Sequence, residues 1–148
     1  YAAGMTLKAE NYKAFKNAFE KVVQETMNPE LRTPEMEIDA EIDFSEITPK
    51  LVRILKQFEP FGPQNMTPVF ATQNVMDTGY PKYMGANEEH IRLFVKQQHS
   101  DGFAAIGFNL VHKKNIIANR NPFQMAYCID ENEWNGQISL QLRLKDIQ

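Results

Sequence analysis

Arg92, Phe94 and Lys96 stand two apart in the stretch 90–98, separated by Leu93 and Val95 and preceded by Ile91. In an extended strand this alternation puts the apolar residues on one face and a ring flanked by two cations on the other. That arrangement suits a single-stranded nucleic acid, whose bases stack on aromatic rings while its phosphates follow positive charge. The competing reading makes Phe94 a packing residue, under a loop or against a neighbouring unit. Trp134 and Arg143 form a second candidate pair, on one face of a hairpin. There the indole either stacks on a base, or caps a barrel mouth or docks on the first unit.

Other reactive residue types are less well arranged. Glu35, Glu37, Asp39, Glu41 and Asp43 alternate along 35–44, and carboxylates at strand spacing could hold a hard cation. No second cluster converges on them, so a solvated strand edge is expected. His90, His99 and His112 lack ligand spacing and Cys128 has no Cys or His nearby in sequence, so no metal site is expected. Cys128 reads as an unreactive strand thiol, even with Arg143 opposite it. Lys113-Lys114 is an adjacent basic pair that reads as a wet helix face. Nucleophile elbows, phosphate-cradling glycine loops and paired-histidine metalloprotease motifs are missing from the sequence. No catalytic constellation emerges.

The elements that must position these residues fall into two groups. Residues 9–27 predict an amphipathic helix with Tyr12, Phe15, Phe19, Val22, Val23 and Met27 on one face. Residues 35–44 predict a half-buried strand, and Thr48 with Pro49 predicts the start of a helix ending at Glu59-Pro60. Past the turn-rich stretch Glu59-Pro60-Phe61-Gly62-Pro63-Gln64-Asn65 the period changes from helical to alternating. Strands are expected at 68–77, 80–85, 90–98, 103–108, 123–131 and 137–147. One short helix near 110–117 is expected to open at Asn109. Asn135-Gly136 is a strong signal for a two-residue turn with positive φ at both positions. Such a turn pairs Trp134 with Gln137, Asp130 with Gln141, Ile129 with Leu142, Cys128 with Arg143 and Tyr127 with Leu144. The expected fold is α+β: a short helical and strand unit, then a small OB-like β-barrel with one helix. The expected division is 1–59, a linker at 60–66, and the OB domain at 67–148.

A chain of 148 residues can bury one sizeable core or two small ones. The net charge of −3 argues against a dedicated, tight nucleic-acid binder. Residues 1–59 carry 8 Lys/Arg against 11 Asp/Glu, whereas 60–148 carry 8 of each, so phosphate contacts are expected in the second part. No apolar run approaches the roughly 20 residues that span a bilayer. The lone cysteine, with no recognisable signal peptide, points to the cytoplasm. Opening on Tyr1 and running at once into Gly4, the sequence reads as part of a longer chain.

Four stretches together resemble the C-terminal part of the RecJ family of bacterial 5′→3′ single-stranded-DNA exonucleases, enzymes of DNA repair and recombination. They are Ala2-Ala3-Gly4-Met5-Thr6-Leu7; Glu59-Pro60-Phe61-Gly62-Pro63 with Pro68-Val69-Phe70; Ile106-Gly107-Phe108-Asn109; and Asn132-Glu133-Trp134-Asn135-Gly136 through Leu140-Gln141-Leu142 to Lys145-Asp146-Ile147. The resemblance implies that residues 1–59 are the tail of a DHHA1-type substrate-binding domain and that an OB domain follows. It also implies that the manganese- or magnesium-dependent catalytic domain lies outside these residues, so no catalytic residue transfers and the piece alone is expected to be inactive. Single-stranded DNA is the implied partner, with single-strand-binding protein as a second. On the rival reading the barrel braces the enzyme or docks a protein and touches no DNA. The sequence departs from the family at Gln64 and Met66, where Gly and Pro are usual.

Overall fold

The computed structural model describes residues 4–28, 31, 35–98, 100–119 and 121–148, with Trp134 described by its backbone alone. The chain divides into two compact units, Tyr1–Met36 and Glu37–Gln148. The first contains a 3-10 turn at Ala9–Asn11 that leads into helix α1, Tyr12–Thr26. Tyr12, Phe19 and Val22 line the predicted apolar stripe, and all three are exposed.

The second unit is built on the terminal hairpin. Strands β6 (Phe123–Trp134) and β7 (Gln137–Ile147) are joined by Asn135 at φ 51° and Gly136 at φ 75°. Both central residues thus take the positive φ that a type I′ turn demands. The register pairs Trp134 with Gln137, Cys128 with Arg143 and Tyr127 with Leu144, as the turn predicts. Tyr127, Leu142 and Leu144 accordingly point into the core.

Five strands close a ring around that core. Strand β2 (Phe70–Asp77) pairs antiparallel with β6 and, at its far end, with β4 (His90–Gln97). β4 pairs antiparallel with β5 (Phe103–Gly107), and β5 runs parallel to β7. The cycle β2-β6-β7-β5-β4-β2 is therefore complete, which leaves few open edges. β2 can serve two partners because its ladder breaks between Thr72 and Val75, where Asn74 takes φ 55° and bends the strand. Strand β3 (Lys82–Met84) folds back on β4, and the two-residue β1 (Ala40–Glu41) lies parallel to β2. Helix α2 (Pro49–Leu55) starts at Thr48, whose hydroxyl accepts the Leu51 N–H at 3.3 Å. Helix α3 (Lys114–Ala118) follows β5 and buries Ile117. This is the expected OB-like α+β fold.

Three details differ from expectation. The strand over 35–44 shrinks to Ala40–Glu41, because the Asp43 and Glu46 carboxylates form a capping box that turns the chain at Phe44. Phe44 and Ile47 then enter the same core as Tyr127, so the compact unit begins at Glu37 and the turn at 60–66 lies inside it. Asn109 caps no helix with its side chain. It takes φ 57° instead, turning the chain out of β5 ahead of the 3-10 turn at Val111–Lys113.

Gln64 has φ 68°, a conformation that costs an L-residue about 1–2 kcal/mol and glycine almost nothing. Gln64→Gly is therefore expected to leave stability unchanged or raise it by about 1 kcal/mol in urea unfolding. A loss of more than that would mean the Gln64 side chain holds the turn.

Candidate nucleic-acid interface

β4 places Ile91, Leu93 and Val95 inside the ring, so Arg92, Phe94 and Lys96 face outward. Phe94 is half exposed, at 50%. Its ring lies over Gly102, where any added side chain would strike the ring carbons. The glycine thus lets the ring approach the backbone closely, while half of the Phe94 surface stays exposed.

Register adds residues that sequence spacing along one strand does not show. Lys82 on β3 is directly opposite Arg92, and Met76 on β2 is directly opposite Lys96. Ala104 and Ile106 on β5 are opposite Phe94 and Arg92. Directly opposed side chains share a face with Cβ atoms about 5 Å apart. Lys82, Arg92 and Lys96 are all exposed, and among the described residues none has a carboxylate partner. Lys82 joins this face only through the pairing of β3 with β4, Lys82 to Met84 against Arg92 to His90, which spacing along one strand does not show.

The second predicted pair does not assemble. Arg143 sits on the same outward face, beside Ile106, but its Nε is 3.1 Å from Asp130 Oδ2. That Nε is shielded from solvent and makes no aligned hydrogen bond, so Arg143 is held by one carboxylate and its field is largely neutralised. Trp134 pairs with Gln137 six residues along β6 from Cys128, the partner of Arg143. At about 3.3 Å per residue this separates the two positions by roughly 20 Å along the ribbon.

Several of the other candidates have structural partners. Asp39 Oδ2 accepts the Val69 N–H at 2.8 Å, and Glu41 Oε1 accepts from Gln73 Nε2 at 2.7 Å. Asp43 Oδ1 accepts from Gln97 Nε2 at 2.7 Å, while Gln97 Oε1 accepts the Phe44 N–H at 2.9 Å. These carboxylates fasten residues 39–44 to the ring. Among the described residues no three or more His, Cys, Asp or Glu side chains converge as metal ligands. Cys128 is fully buried, and burial pushes its thiol up against the opposing pull of Lys145 and Arg143, which disfavours the nucleophilic thiolate. Lys113 Nζ is engaged by Asp146 Oδ1 at 2.9 Å. His99 lies outside the described residues.

Comparison with known families matches residues 38–146 to the family described as RecJ OB domain. The chain belongs to the RecJ OB-domain family. The single-stranded-DNA-specific exonuclease RecJ of Bacillus subtilis is 28% identical over 145 residues, covering 98% of this chain and 18% of that protein. RecJ of Escherichia coli is 26% identical over 153 residues, covering 99% of this chain and 25% of that protein. The chain thus spans a quarter or less of the length of these relatives. Among solved structures, RecJ from Thermus thermophilus in complex with Mn2+ superposes with a TM-score of 0.65 at 20% identity, covering 98% of this chain and 20% of that one. At that identity the likeness is one of fold. The RecJ OB match begins at residue 38, next to the start of the compact unit at Glu37. Among the described residues no helix is long and apolar enough to cross a membrane.

Proposed function

We propose that this chain is a non-catalytic part of a RecJ-type exonuclease and that its OB domain binds and guides single-stranded DNA in repair and recombination. The observation that carries this reading is the outward face of β4, where Phe94 rests on Gly102 among three cations that have no carboxylate partner among the described residues. Bases stack on aromatic faces without regard to sequence, and cations beside the ring track the phosphates. Residues 1–36 belong, on this reading, to the tail of the preceding DHHA1-type domain, whose remainder would cover the exposed stripe of α1. The cytoplasm suits the buried, unpaired Cys128. Trp134 and Arg143 are kept as peripheral contacts only, and single-strand-binding protein as a partner of the whole enzyme.

Fluorescence anisotropy of labelled oligothymidine at low and moderate salt tests the reading. Affinity should fall as salt rises, with a log–log slope of about −0.7 for each phosphate held, or roughly −2 for three cations. Absence of binding at low salt, or affinity indifferent to salt, would favour the rival reading of a purely structural or protein-docking module.

A further inference from the structure

Phe108 is 52% exposed and lies just beyond the end of β5. Its ring meets the imidazole of His90 edge-on, with centroids 5.2 Å apart and planes at 72°. His90 is the outward-facing residue two before Arg92 on β4, so Phe108 stands at the opposite end of the face from Lys96. The Asn109 N–H donates to His90 Nδ1 at 3.1 Å, which fixes the imidazole in the plane that braces Phe108. Glu89 lies on the other side of the imidazole: one carboxylate oxygen accepts the Asn87 N–H at 2.9 Å and the other is 3.7 Å from His90 Nε2. The next outward residue along β4 is the cation Arg92, with Lys82 opposite it on β3.

The geometry points to a second base-stacking site at Phe108, positioned by His90, which together with Phe94 gives the OB face two platforms with Arg92 and Lys82 between them. The ligand is a base of the same single strand, so the inference rests on the DNA-binding reading above. His90 and Phe94 are four residues apart on β4, roughly 13 Å at strand rise. That gap is no more than about four nucleotide steps at the duplex rise of about 3.4 Å, and fewer for a stretched strand. A dinucleotide therefore occupies one platform at a time, and an octanucleotide reaches both.

Phe108→Ala in the full chain should weaken octathymidylate binding about 5- to 150-fold, the range for losing one stacked base. It should change dithymidylate binding, followed by NMR titration, by no more than about twofold. His90→Ala should give an intermediate loss with the octamer. Photocrosslinking of a halogenated-uracil octamer should label the Phe94 and Phe108 peptides together. An octamer affinity unchanged by Phe108→Ala, while Phe94→Ala lowers it, overturns the second platform and leaves the first standing. Equal losses for the dimer and the octamer also overturn it, because the two rings would then act as one site. Wild-type chain that binds no oligomer at low salt defeats the DNA-binding reading itself, and this inference with it.

Discussion

Arg92→Ala with Lys96→Ala is expected to lower affinity for oligothymidine and to flatten its salt dependence by about 1.4 in log–log slope, or 0.7 for each phosphate released. Phe94→Ala is expected to cost about 1–3 kcal/mol of binding, roughly 5- to 150-fold, with little change in slope. The contrast follows from the two forces involved. Charge–phosphate attraction works through released counterions and fades as salt rises, so the double variant should converge on wild type in high salt. Stacking is insensitive to salt, and the Phe94→Ala deficit should persist. Arg92 and Lys96 are exposed, so the unfolding free energy of the double variant should stay within about 0.5 kcal/mol of wild type. Parallel losses with identical slopes in both variants would mean that the substitutions act through the fold.

The largest stability effect is expected at Tyr127. This side chain is fully buried and packs edge-on against Phe44, with ring centroids 6.1 Å apart, and tilted against Phe70 at 6.3 Å. Tyr127→Ala should cost about 3–5 kcal/mol, as for other large aromatics removed from a core. Its hydroxyl lies 2.8 Å from Thr72 Oγ1, and that oxygen is 2.7 Å from the Ile42 carbonyl. Thr72 has one hydroxyl proton and gives it to Ile42, so Tyr127 donates to Thr72. Tyr127→Phe should therefore cost only about 1 kcal/mol, one hydrogen bond.

A pH dependence comes with it. Burial pushes the Tyr127 phenol up to about 12 from its ordinary 10.0, against the smaller opposing effect of the Thr72 hydrogen bond. A raised phenol means the folded state keeps a proton that the unfolded chain gives up. The stabilisation is complete below pH 10 and is lost as pH rises toward 12, by about 2–3 kcal/mol in all. Urea unfolding at pH 9 and pH 11 should show this loss in wild type and a smaller one in Tyr127→Phe. Equal losses in the two would mean that another group governs the alkaline limb.

What was legible in the sequence was local or strictly periodic. Asn135-Gly136 determined the register of the last two strands because one turn type satisfies both residues, and alternation through 90–97 determined which side of β4 faces out. Phe94 and its two cations followed from that alternation. Features that depended on a second strand were hidden. Lys82 joins Arg92 only through the β3–β4 pairing, and the Phe94 seat comes from Gly102 across a loop. Phe108 gained its place from a His90 contact made 18 positions away in sequence. The alternating carboxylates at 35–43 overstated the strand, because Asp39, Glu41 and Asp43 are spent on hydrogen bonds that fasten and turn the chain. Trp134 and Arg143 share a face but their backbone positions lie roughly 20 Å apart along the hairpin, a spacing that alternation alone does not reveal.

Mapping bound oligothymidine by amide and aromatic NMR shifts tests the central claim most directly. The account predicts perturbations concentrated on Lys82, Arg92, Phe94 and Lys96, extending through Ala104 and Ile106 to Phe108. Shifts confined to α1 or to α2, with the β4 face silent, would contradict it.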